Sequence, residues 1–122
     1  MSASAKRILI VEDDSDIALV LSTILEDAGY TVQTSDGSDF LMWIQERKPP
    51  DLILLDMLLS GQDGREIARQ VKGQPETSHV PIIMLSAHPT AGRDALAAGA
   101  DGFLAKPFDL EILLARVATY LK

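Results

Sequence analysis

Short apolar runs alternate along this chain with longer segments in which apolar residues recur at helical spacing. Continuous apolar runs predict strands at Ile8 to Val11, Leu52 to Leu55, Pro81 to Leu85 and Gly102 to Ala105. Runs that are apolar at every position are typical of parallel strands, which are buried on both faces. Thr31 to Ser35 alternates weakly between apolar and polar residues, and we interpret it as a further strand, the second in chain order.

The segment after the first strand has the pattern of an amphipathic helix. Asp14 or Ser15 can cap its start, and Gly29 suits the left-handed position just after its end. The apolar spacing predicts that its buried face consists of Ile17, Val20, Leu21, Ile24, Leu25 and Ala28.

The later helices follow the same pattern. Phe40, Leu41 and Ile44 mark the second helix, Gly64 to Lys72 is a short third one, and Arg93 to Ala98 is an alanine-rich fourth one. In the last helix Asp109 is the predicted cap, and the predicted buried face consists of Leu110, Leu113, Leu114, Val117 and Leu121.

This alternation predicts an α/β fold with one parallel sheet and helices on both of its sides, because each strand is followed by a helix. The chain has no internal repeat, low-complexity tract or linker. We therefore expect a single domain over residues 1–122, of which residues 1–5 form a flexible N-terminus.

Composition excludes several classes of function. The 122 residues are 47% apolar, which is enough for a hydrophobic core. A net charge of −7 disfavours direct binding of nucleic acid. The absence of cysteine excludes disulfides and thiol chemistry, and no apolar run approaches the length of a signal peptide or a membrane span. We expect a cytoplasmic protein that contacts no membrane.

Chemically active side chains follow four of the five predicted strands. In an open parallel sheet, ligands bind beyond the carboxyl ends of the strands. Taken singly, an acid, a serine or a lysine after a strand is usually loop solvation or turn chemistry. Taken together they gather at one edge of the sheet, where the residues concerned are Glu12, Asp13, Asp56, Ser86 and Lys106.

These residues have the chemistry of a phosphoryl site. Three carboxylates at one edge repel one another and require a divalent cation, and oxygen ligands suit Mg²⁺. Lys106 supplies a fixed positive charge and Ser86 a hydroxyl group, which can hold phosphoryl oxygens. Asp56 is the candidate nucleophile, since carboxylates can accept phosphoryl groups covalently.

The motifs at the strand ends resemble those of a known family. They are "VEDD" after the first strand, "LLDMLLSGQDG" around Asp56, "LSA" after the fourth strand and "KPF" after the fifth. Over nearly its whole length the chain resembles the CheY-like receiver domain of two-component response regulators. The resemblance implies a flavodoxin-like, doubly wound (βα)5 fold with strand order 2-1-3-4-5.

The resemblance also implies a role for each site residue. Asp13 and Asp56 would bind Mg²⁺ directly, Glu12 would act largely through water, and the carbonyl of Leu58 would complete the metal ligands. Asp56 would be phosphorylated by a histidine kinase or a histidine phosphotransfer protein.

Contacts to the phosphoryl group follow from the same resemblance. Ser86 and Lys106 would contact its oxygens, Phe103 would be the aromatic residue that moves with Ser86 on activation, and a cis peptide bond would join Lys106 to Pro107. The protein would then be a phosphoacceptor that assists its own phosphorylation and dephosphorylation rather than an enzyme. A surface patch on the first helix, formed by Ala18, Leu19 and Ser22, would contact the kinase.

Some positions depart from the family pattern. Ser60 stands where proline is usual, Gln62 where an apolar residue is usual, and Ser86 where threonine is commoner. The segment from His88 to Leu96 is slightly short and contains Pro89, which bears on the surface that would contact a downstream target. The identity of the kinase and of that target, the oligomeric state, and whether the receiver stands alone or is part of a larger regulator all stay open.

Three alternatives compete with a phosphorylation switch. A degenerate receiver would act as a phosphorylation-independent interaction module, but it would lack one or more of the site residues. A dehalogenase-type phosphatase would carry a second acid two residues after its nucleophile, where this chain has Leu58. A nucleotide- or flavin-binding domain is disfavoured because neither G-x-G-x-x-G nor a P-loop occurs.

Overall fold

The structure is a computed structural model that describes residues 5–40, 48–59, 61–88 and 91–121. Within these ranges the strands are β1 (Arg7–Val11), β2 (Thr31–Ser35), β3 (Leu52–Asp56), β4 (Leu58–Leu59), β5 (Gln62–Asp63), β6 (Ile82–Ser86) and β7 (Gly102–Ala105). The helices in the same ranges are α1 (Ser15–Asp27), α2 (Gly64–Lys72), α3 (Ala91–Ala97) and α4 (Leu110–Tyr120).

Five of the strands form one parallel sheet in the order β2-β1-β3-β6-β7. Since β6 and β7 are the fourth and fifth predicted strands, this confirms the order 2-1-3-4-5. The sequence did not predict β4 and β5, a short antiparallel hairpin between β3 and α2. Val11 pairs with Leu55, and Asp56 pairs with Leu85, so the central strands end at one common edge.

Alternation along the strands divides the core between the two faces of the sheet. In β1, Ile8 and Ile10 pack with the helices α1 and α4, whereas Leu9 and Val11 pack with α2 and α3. The same division continues in β3 and β6. Burying one such aliphatic side chain stabilises the fold by about 1.5–3 kcal/mol. Helices therefore cover both faces, as the doubly wound fold requires.

Local signals place the starts of α1 and α4 where the sequence predicts them, whereas α3 begins at Ala91 and not at the predicted Arg93. The side chains of Asp14 and Asp109 accept hydrogen bonds from backbone N–H groups in the first turns of α1 and α4. Gly29, after α1, has a φ of +101°, and Gly99, after α3, has a φ of +103°. Glycine adopts this left-handed conformation without the penalty that a Cβ atom brings.

The predicted buried face of α1 was partly wrong. Ile17 and Val20 are 36% and 54% exposed, and Ala28 is exposed after the end of the helix. The buried face of α1 is narrower than predicted, and the small side chain of Ala18 lets the helix pack closely on the sheet. That buried face consists of Ala18, Leu21 and Leu25.

The buried face of α4 is also narrower than predicted. Leu113 and Val117 are buried as predicted, Leu114 and Leu121 are half-buried, but Leu110 is 46% exposed. A shallow apolar groove runs between this end of α4 and α1, and its lining includes Ile17, Val20, Phe108 and Leu110.

Some predictions fall outside the described residues. These are the flexible N-terminus over residues 1–4, the second helix from Leu41 onwards, and the features at Ser60 and Pro89. Phe40, at the start of that predicted helix, is described and buried. The peptide bond between Lys106 and Pro107 is cis, as predicted. No helix within the described ranges is both long and apolar enough to cross a membrane.

Candidate functional site

Side chains from four adjacent strands meet at the carboxyl edge of the sheet. Glu12 directly follows β1, Asp56 is the last residue of β3, Ser86 is the last residue of β6, and Lys106 directly follows β7. These strands are neighbours in the sheet, so their ends are neighbours as well. The structure therefore brings together the residues that the sequence placed at strand ends, together with Asp13.

Glu12, Asp13 and Asp56 form a compact acidic group. Each offers one carboxylate oxygen, and these oxygens all lie within 4.8 Å of one another. Glu12 and Asp56 are buried, at 4% and 8% exposure, while Asp13 is more accessible. Carboxylate oxygens are the ligands that Mg²⁺ and Ca²⁺ prefer, and a dication would relieve their mutual repulsion. The donor set therefore fits a divalent cation.

Lys106 supplies the positive charge of this group. Its Nζ lies 3.1 Å from Oε1 of Glu12 and 3.4 Å from Oδ2 of Asp56. Burial acts to lower the pKa of Lys106, but its contacts with the two carboxyl groups outweigh burial and raise that pKa above its ordinary value. The site thus holds a fixed cation beside its acids.

The pKa of Glu12 is shifted by the surroundings of this side chain. Burial, followed by its hydrogen bond and charge interaction with Asp56, raises the pKa of Glu12 from 4.5 to about 7. Lys106 opposes this shift but is outweighed. Burial and the neighbouring acid thus both disfavour the ionised form of Glu12, which a bound dication would favour.

The backbone that carries Asp56 is held by a glycine that sequence reasoning missed. The N–H of Gly64 donates to the carbonyl of Met57 at 2.9 Å. A Cβ atom on Gly64 would overlap the carbonyl oxygen of Asp56, so only glycine fits at the first position of α2. The sequence does contain a signal for this contact. Glycine directly follows the N-cap Asp63, and its low helix propensity suggests that the position has no room for a side chain.

The predicted phosphoryl contacts occupy defined positions. Ser86 is 2% exposed, and its Oγ accepts a hydrogen bond from the N–H of His88 at 3.1 Å. Leu58 donates its N–H to Oδ1 of Asp56 at 3.3 Å, while its side chain is 70% exposed. Phe103 is half-buried against the core under α2 and α3. A Cβ atom on Gly92 would lie 3.3 Å from the Phe103 ring, so α3 passes close to that ring.

Among the hollows near the acidic group, one lies beside α1 and another beside α2 and α3. A cleft of about 700 Å³ lies between α1 and the end of β2, and its lining includes Glu12, Asp13, Leu19 and Asp36. A smaller cavity of about 160 Å³ lies on the side of α2 and α3, and its lining includes Met57, Leu58, Arg65, Ser86, His88 and Asp94. Nothing in the sequence singles out Arg65 or Asp94, because lone charges on helices are usually solvated.

Comparison with known sequences finds matches over nearly the whole chain. The family model described as "Response regulator receiver domain" matches residues 8–118. The phosphate regulon transcriptional regulatory protein PhoB of Rhizobium meliloti (strain 1021) is 39% identical over 119 residues. The match covers 95% of this chain and 52% of PhoB, so the chain spans about half the length of this curated relative.

Comparison with solved structures gives the same fold. The chemotaxis response regulator CheY4 of Vibrio cholerae superimposes with a TM-score of 0.87 at 32% identity, covering 96% of this chain and 99% of CheY4. The receiver domain of the sensor histidine kinase PA1611 from Pseudomonas aeruginosa PAO1 superimposes with a TM-score of 0.86 at 30% identity, covering 97% and 98%. In that structure a magnesium ion is coordinated in the active-site cleft.

Proposed function

The chain belongs to the family of response regulator receiver domains, and on this premise we propose that it is a phosphorylation-activated signalling switch that accepts a phosphoryl group on Asp56. Members of this family are phosphoacceptors rather than classical enzymes. The observation that carries the proposal is the buried carboxylate of Asp56, which lies 3.4 Å from Lys106 within a group of three acids. Charge compensation at this position favours the arrival of an anionic phosphoryl group.

The acidic group would hold Mg²⁺ in this proposal. Asp13, Asp56 and the carbonyl of Leu58 would be its protein ligands, and Glu12 would act largely through water. The bound ion supplies positive charge that neutralises the acids and polarises the phosphoryl oxygens. The close approach of the three carboxylates, within 4.8 Å, supports this assignment.

The remaining site residues would act on the phosphoryl group itself. An oxygen of Asp56 attacks phosphorus, the bond from phosphorus to the donor breaks, and the donor atom keeps the electron pair. Lys106 already lies beside Asp56 and stabilises the transferred oxygens by its charge. Ser86 contributes its hydroxyl group as a further donor, and Phe103 moves with Ser86 as the switch aromatic. In dephosphorylation a water attacks phosphorus, the bond from phosphorus to the Asp56 oxygen breaks, and the same groups stabilise the phosphoryl oxygens.

The partners follow from the phosphoryl chemistry. A receiver domain implies a histidine kinase, and we propose that this kinase or a histidine phosphotransfer protein is the donor. Phosphotransfer of this kind draws on ATP, so we place the protein in the cytoplasm. A downstream protein target reads the phosphorylated state, and the net charge of −7 argues that the domain itself does not bind nucleic acid.

Phosphorylation by a small phosphodonor tests the proposal directly. We expect incubation with acetyl phosphate and Mg²⁺ to add one phosphoryl group, seen by intact mass, and Asp56→Asn to abolish the adduct. Asp13→Ala is expected to weaken Mg²⁺ binding and phosphorylation together. A protein that gains no adduct under any condition would instead be a degenerate receiver, and an adduct that persists in Asp56→Asn would place the acceptor elsewhere.

A further inference from the structure

Arg65 brings a guanidinium group to the smaller cavity beside Asp56. Its Nε lies 3.1 Å from both carboxylate oxygens of Asp63, and its Nη2 lies 2.7 Å from Oδ2 of the same residue. Its Nη1 lies 3.7 Å from Oδ2 of Asp94 on α3. That separation is too long for a hydrogen bond. Arg65 is thus anchored by Asp63 and only loosely held by Asp94.

The charged groups at this cavity are accessible from solvent. The side chain of Arg65 is 37% exposed, and that of Asp94 is 62% exposed. The carboxyl of Asp63 belongs to the anchor, since it caps α2 through the N–H of Arg65 at 2.9 Å. A small solute can therefore reach the outer edge of the guanidinium group without disturbing the helix cap.

The cavity adjoins the phosphorylation site through lining residues that the two share. In an in-line displacement the attacking oxygen and the leaving group lie on opposite sides of phosphorus. Asp56 attacks from the buried floor of the site, at 8% exposure, so the leaving group points outward. Leu58, whose N–H donates to Asp56, lines this cavity together with Ser86 and Arg65, so a leaving group that extends into the cavity meets the guanidinium group.

We propose that Arg65 determines donor specificity by favouring small acyl phosphates, and that Asp94 opposes it. This inference rests on the proposed function of Asp56. In the reaction a bond forms between an Asp56 oxygen and phosphorus while the bond from phosphorus to the acyl oxygen breaks. The acyl oxygen keeps the electron pair and departs as part of a carboxylate, and no proton transfer is needed. Arg65 stabilises the negative charge that develops on this carboxylate.

A donor with a neutral leaving group gains nothing from Arg65. Phosphoramidate carries its proton on nitrogen, so breaking its bond to phosphorus releases neutral ammonia. A phosphohistidine likewise leaves a neutral imidazole once a proton is supplied from solvent. The carboxylate of Asp94 partly neutralises the charge of Arg65 and repels an anionic leaving group. Removing this carboxylate should therefore increase the rate of phosphorylation by acyl phosphates most.

The test is the ratio of phosphorylation rates with acetyl phosphate and with phosphoramidate, measured on the full chain with Mg²⁺. For a partly exposed charge contact we expect Arg65→Gln to lower this ratio about fivefold and Asp94→Asn to raise it about twofold. Arg65→Lys keeps the positive charge but loses the planar guanidinium group, which can donate two parallel hydrogen bonds to a carboxylate, and it should give an intermediate ratio. A purely structural role for Arg65 would slow both donors equally and leave the ratio unchanged.

Arg69→Gln is the matched control. Arg69 lies on the same helix and pairs with Glu66 at 3.2 Å, but it is not part of the cavity lining, so its loss should leave the ratio unchanged. An unchanged ratio in Arg65→Gln, while Asp56 is still phosphorylated, would overturn this inference alone. A parent protein that accepts phosphoryl groups from neither donor would overturn the proposed function and this inference with it.

Discussion

At the scale of single residues, Asp56 illustrates how a carboxylate can end a strand that is otherwise part of the core. Every residue of β3 is buried. Burying a charge without partners costs several kcal/mol, but Asp56 lies at the strand end, where Lys106 and the N–H of Leu58 approach its two oxygens. The edge of the sheet therefore tolerates an acid that the middle of the strand would not.

Leu58 bears on the lifetime of the phosphorylated state. Hydrolysis needs a water in line with phosphorus, and the exposed side chain of Leu58 lines the cavity beside Asp56, from which we expect that water to approach. A leucine offers no hydrogen bond to orient the water. We expect Leu58→Asn to hydrolyse its phosphoryl group about tenfold faster, which is roughly 1.4 kcal/mol of barrier.

The decay rate of the phosphorylated protein, with Mg²⁺ and without a partner, checks this expectation. Leu96→Asn is the control, since Leu96 is an exposed leucine on α3, at 58% exposure, that does not line the cavity. A Leu58→Asn decay rate at or below that of the parent would rule out this role for Leu58.

At the scale of elements, the junction between the hairpin and α2 holds the strand end in place. A Cβ atom on Gly64 would overlap backbone atoms of Asp56, and backbone cannot move aside as a flexible side chain can. We expect Gly64→Ala to destabilise the fold by about 1–3 kcal/mol and to slow phosphorylation, because Asp56 is displaced. Urea unfolding and phosphorylation rates measure the two effects.

Gly29→Ala provides the comparison. Gly29 has a φ of +101° but nothing within 4 Å of its Cβ position, so alanine there costs conformational strain of roughly 1–2 kcal/mol without disturbing the site. Its phosphorylation rate should equal that of the parent. If Gly64→Ala is phosphorylated at the parent's rate, the contact with Asp56 does not position the acceptor.

The helix α1 presents the proposed kinase contact. Leu19 is 65% exposed and lines the cleft beside Glu12 and Asp13, but Ala18 is buried, so the predicted surface patch was wrong at that residue. We expect Leu19→Glu to slow phosphotransfer from the kinase about tenfold, as loss of an apolar interface anchor does. Phosphorylation by acetyl phosphate should be unchanged.

Leu96→Glu, an equivalent change on α3, should slow neither reaction. Equal slowing of both reactions by Leu19→Glu would indicate a folding defect rather than a lost contact.

At the scale of the whole molecule, the acidic group makes stability depend on pH and on metal. The folded pKa of Glu12 is about 7, against an ordinary 4.5, so between these values the folded protein holds a proton that the unfolded chain has lost. The free energy of unfolding is therefore highest below about pH 4.5 as far as Glu12 is concerned, and it falls as the pH rises to about 7. Over this window the fall is about 3 kcal/mol.

Urea unfolding at pH 5, 6 and 7 with a chelator present measures this fall. Glu12→Gln should remove most of it, and Mg²⁺ should restore stability to the parent at pH 7 because the ion compensates the ionised acids. Identical pH dependence in the parent and in Glu12→Gln would contradict the assignment.

The sequence by itself determined the alternation of the five main strands with helices, a parallel sheet covered on both sides, and the residues at the strand ends. These follow from signals that are local in the chain, such as the continuous apolar run of Leu52 to Leu55 and the caps Asp14 and Asp109. Parallel strands share one carboxyl edge. The residues at the strand ends were therefore enough to predict that Glu12, Asp56 and Lys106 lie close together.

Only the tertiary structure decided which apolar positions are covered and how the charges pair. Ile17 and Leu110 satisfy helical periodicity but lie outside the narrow stripes that meet the sheet. The clash at Gly64, the approach of Arg65 to Asp94 and the raised pKa of Glu12 all depend on distances between segments far apart in the chain or across a packed junction. Periodicity carries no information about such distances, because they are set by how the helices pack on the sheet.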